Sequence, residues 1–97
     1  MNAVLKVYKD CTSDEATKTY TCKRLLLGVS KKVQSLSNSM DGKNEQEQEE
    51  ITIKILKTIF PTFEDDDFNY IDPIEYMNFV NEIARETNQI LANAQKN

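Results

Sequence analysis

The sequence predicts an α+β fold: an N-terminal β-hairpin followed by three to four α-helices, with helix dominating. Three observations carry this. Threonines alternate with other residues just before position 22, as in a strand with one polar face. Only two Gly and two Pro punctuate 97 residues, which favours a few long elements over many short strands. Downstream, apolar residues recur at helical spacing behind recognisable start signals. The length fits a single domain over residues 1–97 with a core of limited size.

The hairpin is expected over about residues 3–22. AVLKVY, from Ala3, is rich in β-branched and aromatic residues. TKTYTC sets Thr17, Thr19 and Thr21 against Lys18, Tyr20 and Cys22. The intervening DCTSDEA is polar and turn-forming. A two-stranded hairpin is marginal alone, so it must lean on the helices.

The first helix is expected over about 25–40. Leu25, Leu26, Val29, Val33, Leu36 and Met40 fall within roughly 100° of arc on a helical wheel. Serines 35 to 39 and Asp41-Gly42 signal its end. The second, about 45–60, begins in Glu45, Glu47, Glu49 and Glu50, which complement the helix dipole. Ile51, Ile53, Ile55, Leu56, Ile59 and Phe60 then cover roughly half its circumference, and Pro61 stops it. A short helix over about 62–69 is expected to be capped by Thr62 with Asp65. The last, about 73–94, starts at Asp72-Pro73-Ile74-Glu75, with Asp72 as cap, Pro73 in the first position and Glu75 completing a capping box. Its apolar side, from Phe79 round to Met77, spans roughly 160°. That is wider than one core contact requires, so part of it is a candidate partner surface.

Composition narrows the chemistry. The chain has no histidine, the commonest general base and metal ligand. Cys11 and Cys22 cannot make a four-ligand zinc site alone; they are free thiols in a reducing compartment, or one bridge across the hairpin. There is no phosphate-binding or dinucleotide-binding glycine loop. Asp65, Asp67 and Asn69 match the first alternating ligands of an EF-hand loop, but Tyr70 stands where glycine is needed and Tyr76 where a bidentate Glu belongs. Helix capping and solvation account for these carboxylates. The expectation is a non-enzymatic binding module with no cofactor and no metal. MNAVLKVYKD lacks the basic start and long apolar run of a signal peptide, and no stretch reaches the length of a membrane span. The chain is expected to stay where it is made.

Net charge is −4, divided unevenly. Residues 1–40 carry +4 and residues 41–97 carry −8. An acidic bulk disfavours nucleic acid. The basic cluster Lys23, Arg24, Lys31 and Lys32 has no stacking aromatics beside it, and reads as a solvated face or a contact patch for an acidic protein surface. The charge polarity also allows self-association.

The order KTYTCKRLLLGVSKKVQSL, then ITIKILKTIFPTFEDDDFNYIDPIEYMNFVNEI, resembles the tail assembly chaperones of long-tailed phages and prophages of Gram-positive bacteria. The likeness covers about residues 4–91. It comprises a strand pair ending in Thr19-Tyr20-Thr21, a basic helix, an acidic start leading into an apolar helix closed by Phe60, a Thr-led acidic turn with Phe68, and an Asp-led last helix. Cys22, the long hairpin loop and Ile71 depart from it. The resemblance implies a protein that binds and solubilises the tape measure protein and helps recruit tail tube subunits. It would act in the host cytoplasm and be absent from the finished virion. Tyr76, Phe79, Ile83 and Ile90 are the expected partner contacts. Gln95-Lys96-Asn97 is compatible with the A-rich slippery codons from which such families make a longer frameshifted product. Two rival readings are a structural head–tail or tail component of the virion, and a small regulator binding nucleic acid through Lys23, Arg24, Lys31 and Lys32.

Overall fold

A computed structural model describes residues 1–95; Lys96 and Asn97, on which the slippery-codon reading partly falls, lie outside them. Strand β1 (Ala3–Val7) pairs antiparallel with β2 (Lys18–Cys22), with Ala3 opposite Cys22, Leu5 opposite Tyr20 and Val7 opposite Lys18. The period-2 pattern sets the inner face. Ala3, Leu5, Val7 and Cys22 are buried while Val4, Lys6, Thr19 and Thr21 are exposed. Helices α1 (Leu27–Asn38), α2 (Glu45–Ile59) and α3 (Pro73–Ala94) follow, with a 3-10 helix at Asp65–Tyr70 between α2 and α3. The fold is α+β and helix-dominated.

The element ends have local causes. α1 starts two residues later than expected, because Leu26 is extended and offers no capping side chain. Its carbonyl accepts the first helical bond, from the Ser30 N–H. Leu25 therefore reaches the core from the connector, whereas Leu26, expected on the buried stripe, stands exposed with Leu27. Gly42 turns the chain toward α2 at φ 77°, a conformation that favours glycine. Asn44 caps α2 in a reciprocal box. Its side chain accepts from the Glu47 N–H at 2.8 Å, and its own N–H donates to Glu47 Oε1 at 3.3 Å. Phe60 leaves the helix because the residue before a proline is pushed out of helical conformation.

The cap expected at Thr62 is not used; instead Asp67 reaches back to the Glu64 N–H at 3.1 Å. Asp72 caps α3, accepting from Ile74 N–H at 2.8 Å and Glu75 N–H at 3.1 Å. Glu75 does not complete a box. Both its carboxylate oxygens receive the Tyr8 hydroxyl, each at 2.9 Å, which joins the end of β1 to the start of α3. A bridge from Val7 to Ile71 and a bond from Tyr8 N–H to the Tyr70 carbonyl reinforce this junction.

The core lies between the inner face of the hairpin and the three helices. It gathers Leu5, Val33, Leu56, Phe60, Phe63, Phe79 and Ile83. Tyr20 ties the sheet to it through tilted rings, 5.3 Å from Phe60 and 5.5 Å from Phe63, and Phe60 continues to Phe79 at 5.7 Å.

Cys22 is buried at one end of the hairpin and Cys11 exposed in the loop at the other. A bridge across the hairpin is ruled out by this register, since disulfides need Cα atoms within about 7 Å and the five-residue strand from Lys18 to Cys22 alone spans about 13 Å. Burial also pushes the Cys22 thiol up from its ordinary pKa. Titration with a thiol reagent is expected to show one fast group, Cys11, and a second only on denaturation.

Candidate helix-binding groove

Helix α1 packs against both α2 and α3, and holds them far enough apart to leave a groove of about 410 Å³ between them. The α2 wall is built by Thr52, Ile55, Leu56 and Ile59. The α3 wall is built by Tyr76, Val80, Ala84 and Asn88, with Phe79, Ile83 and Thr87 below them. Val33, Gln34 and Ser37 of α1, with Met40 in the turn after it, close the floor and one end. Both walls follow from periodicity: residues three and four apart share one helix face. Ile55, Ile59, Tyr76 and Val80 are half-buried, packed on the core beneath yet open to the groove.

Every side chain lining this groove is uncharged. Burial raises the pKa of the Tyr76 phenol, with the Thr52 hydroxyl nearby acting the other way, so Tyr76 is neutral at physiological pH. Thr87 is 3% exposed and its hydroxyl has no hydrogen-bond partner among the described residues. The arrangement is a trough of apolar surface with a few neutral hydrogen-bonding groups. It suits an apolar side-chain row.

The expected contact row divides in two. Phe79, 3% exposed, and Ile83, 5% exposed, are core residues and cannot serve as open contacts. They face the hairpin and α1, so their role is to support the groove from beneath. Tyr76 is half-buried and lies in the groove wall. Ile90 is half-buried one turn past the groove and does not line it. Sequence reasoning missed the α2 wall, Ile55 and Ile59, although the wide apolar arc of α2 held the signal. Lys23, Arg24, Lys31 and Lys32 are all exposed, on the connector and first turns of α1, and none lines the groove.

A second polar cluster pins the 3-10 helix to the hairpin. Asp67, 6% exposed, accepts from Lys18 Nζ at 3.0 Å, Tyr20 hydroxyl at 2.8 Å and Glu64 N–H. Lys18 also lies 3.5 Å from Glu64, and Lys57 pairs with Asp65. Asp67 therefore caps the 3-10 helix, as expected of the acidic run, but it is a buried anchor for Lys18 and Tyr20 and not a solvated carboxylate. Among the described residues no group of three or more His, Cys, Asp or Glu is placed to hold a metal ion, and no helix is long and apolar enough to cross a membrane.

Comparison with protein-family models, curated proteins and solved structures finds no match to this chain.

Proposed function

We propose that this chain is a tail assembly chaperone of a long-tailed phage or prophage of a Gram-positive bacterium, and that it holds an apolar helix of the tape measure protein in the groove between α2 and α3. The observation that carries the reading is that groove: about 410 Å³, uncharged along its length, and walled by helices whose rows repeat every three or four residues. Its repeat matches an amphipathic helix laid along it. The resemblance of residues 4–91 to such chaperones supplies the partner.

The physical task is protection. A long apolar helix in water presents a continuous patch that aggregates unless covered. A small module that covers one stretch reversibly keeps it soluble and yields when the tube closes round it. Lys23, Arg24, Lys31 and Lys32 lie outside the groove, which leaves them free for a tail tube subunit while the helix is held.

Co-expression with the tape measure protein, sought just downstream in the genome, tests this. The wild-type chain is expected to keep it soluble and to co-purify with it. Ala84→Glu places a charge in the groove at an exposed helical position where glutamate suits the backbone. It is expected to leave the circular dichroism and melting curve unchanged and to cut co-purification at least about tenfold, the cost of burying an unpaired charge. Undiminished co-purification by a folded Ala84→Glu chain removes the groove from the proposal. Mass spectrometry of finished particles separates the rival: the chaperone is expected to be absent, a head–tail or tail component present.

A further inference from the structure

Beyond the α2 N-terminal end of the groove the helix carries charge, and its sign says more about the partner than the groove's apolar length does. Helical spacing carries the α2 wall back from Thr52 to Gln48 and Glu45, with Glu49 beside them. Both glutamates are exposed and neither makes an ion pair among the described residues. The turn closing that end adds Asp41 and Lys43, which offset each other. The outward positions of the α3 wall, Ala84 and Asn88, are uncharged. Formal charge at the α2 N-terminal end is thus negative.

We infer that the groove's partner is an amphipathic helix whose apolar row is followed by lysine or arginine, seated against Glu45 and Glu49. This rests on the groove being a helix-binding site and specifies what sort of helix it selects. The logic is that of electrostatic discrimination: the uncharged trough holds any apolar row of suitable spacing, while the acidic end favours a basic flank and repels an acidic one. Glu45 and Glu49 are free to do this because the cap of α2 is supplied by Asn44 and Glu47, so neither is needed to close the helix start.

Two labelled peptides of about 20 residues test it by fluorescence anisotropy with the full chain. They share a Leu row at i, i+3, i+4 and i+7. One carries lysines at both ends and the other glutamates. The basic peptide is expected to bind about tenfold more tightly at low salt, and the gap to close near about 0.5 M NaCl, where exposed charges are screened. A Glu45→Lys, Glu49→Lys chain, altered only at exposed positions, is expected to reverse the preference. Equal affinity for both peptides, or a preference unmoved by the double substitution, overturns the inference and leaves the groove as a helix site. Failure of both peptides to bind overturns the helix-site reading itself.

Discussion

Replacing Phe79 with alanine is expected to lower the unfolding free energy by about 3–5 kcal/mol, the usual cost of emptying an aromatic site in a core. Phe79 sits where the layers meet. It is 3% exposed, its ring lies 5.7 Å from that of Phe60, and it belongs to the cluster that includes Leu5, Leu56 and Ile83. Collapse around the void is hindered because the walls belong to different elements, a strand and two helices. For a domain this small the total is about 5–15 kcal/mol, so the variant stands near the edge of folding. Urea denaturation at fixed pH measures it. A loss below about 1 kcal/mol would place Phe79 outside the core. Because Phe79 also supports the groove, any loss of partner binding in this variant is read only beside Ala84→Glu, which leaves the core intact.

Asp67→Ala is expected to cost about 2–3 kcal/mol. It leaves the Tyr20 hydroxyl, the Glu64 N–H and Lys18 Nζ without their acceptor. Water reaches Lys18, which is about two-fifths exposed, so the loss stays below that of a fully buried pair. Asp67→Asn keeps the shape and one acceptor and is expected to lose less. The pH dependence separates the charge from the shape. Burial alone would raise the Asp67 pKa, but hydrogen bonds from Lys18, the Glu64 N–H and Tyr20 outweigh it, and the carboxyl titrates below its ordinary 3.8. A carboxyl depressed in the folded state stabilises above its unfolded pKa, and that contribution is lost as pH falls through the folded value. Wild type and Asp67→Asn are therefore expected to differ at pH 7, and the gap to begin closing only below about pH 4 and to vanish as pH falls through the lower folded value. Asp10, also depressed through its bonds to Thr12 and Ser13, is common to both chains and cancels. Parallel curves down to the acid limit would show that the pin owes nothing to the charge.

Much of the fold was legible because it is written locally. The Asp72-Pro73 start of α3, the stop at Pro61 and the threonine alternation of β2 act within a few residues, and each appears where the pattern puts it. The Asn44–Glu47 box was equally local, an Asn followed three residues later by Glu, and could have been read the same way. What was not legible depends on which distant residue stands opposite. Asp65, Asp66 and Asp67 are alike in sequence, and only the placement of Lys18 and Tyr20 across from the third makes it an anchor. Glu75 fits a capping box by spacing, but Tyr8 takes its carboxylate. The apolar row of α3 predicts a buried side without saying which members the hairpin covers. Phe79 and Ile83 went to the interior, Tyr76 to the groove wall, and Ile90 to neither.

The bond between Tyr8 and Glu75 spans 67 positions of the chain. At about 5–20 residues per second, a ribosome needs roughly 3–13 s to add those residues. For that interval Leu5 has been made but α3, which packs on β1, has not. The hairpin is thus synthesised well before the helix it docks on, and its greasy side is exposed for a time in every round of translation. Docking of the hairpin on α3 therefore waits until residues 73–94 have been made.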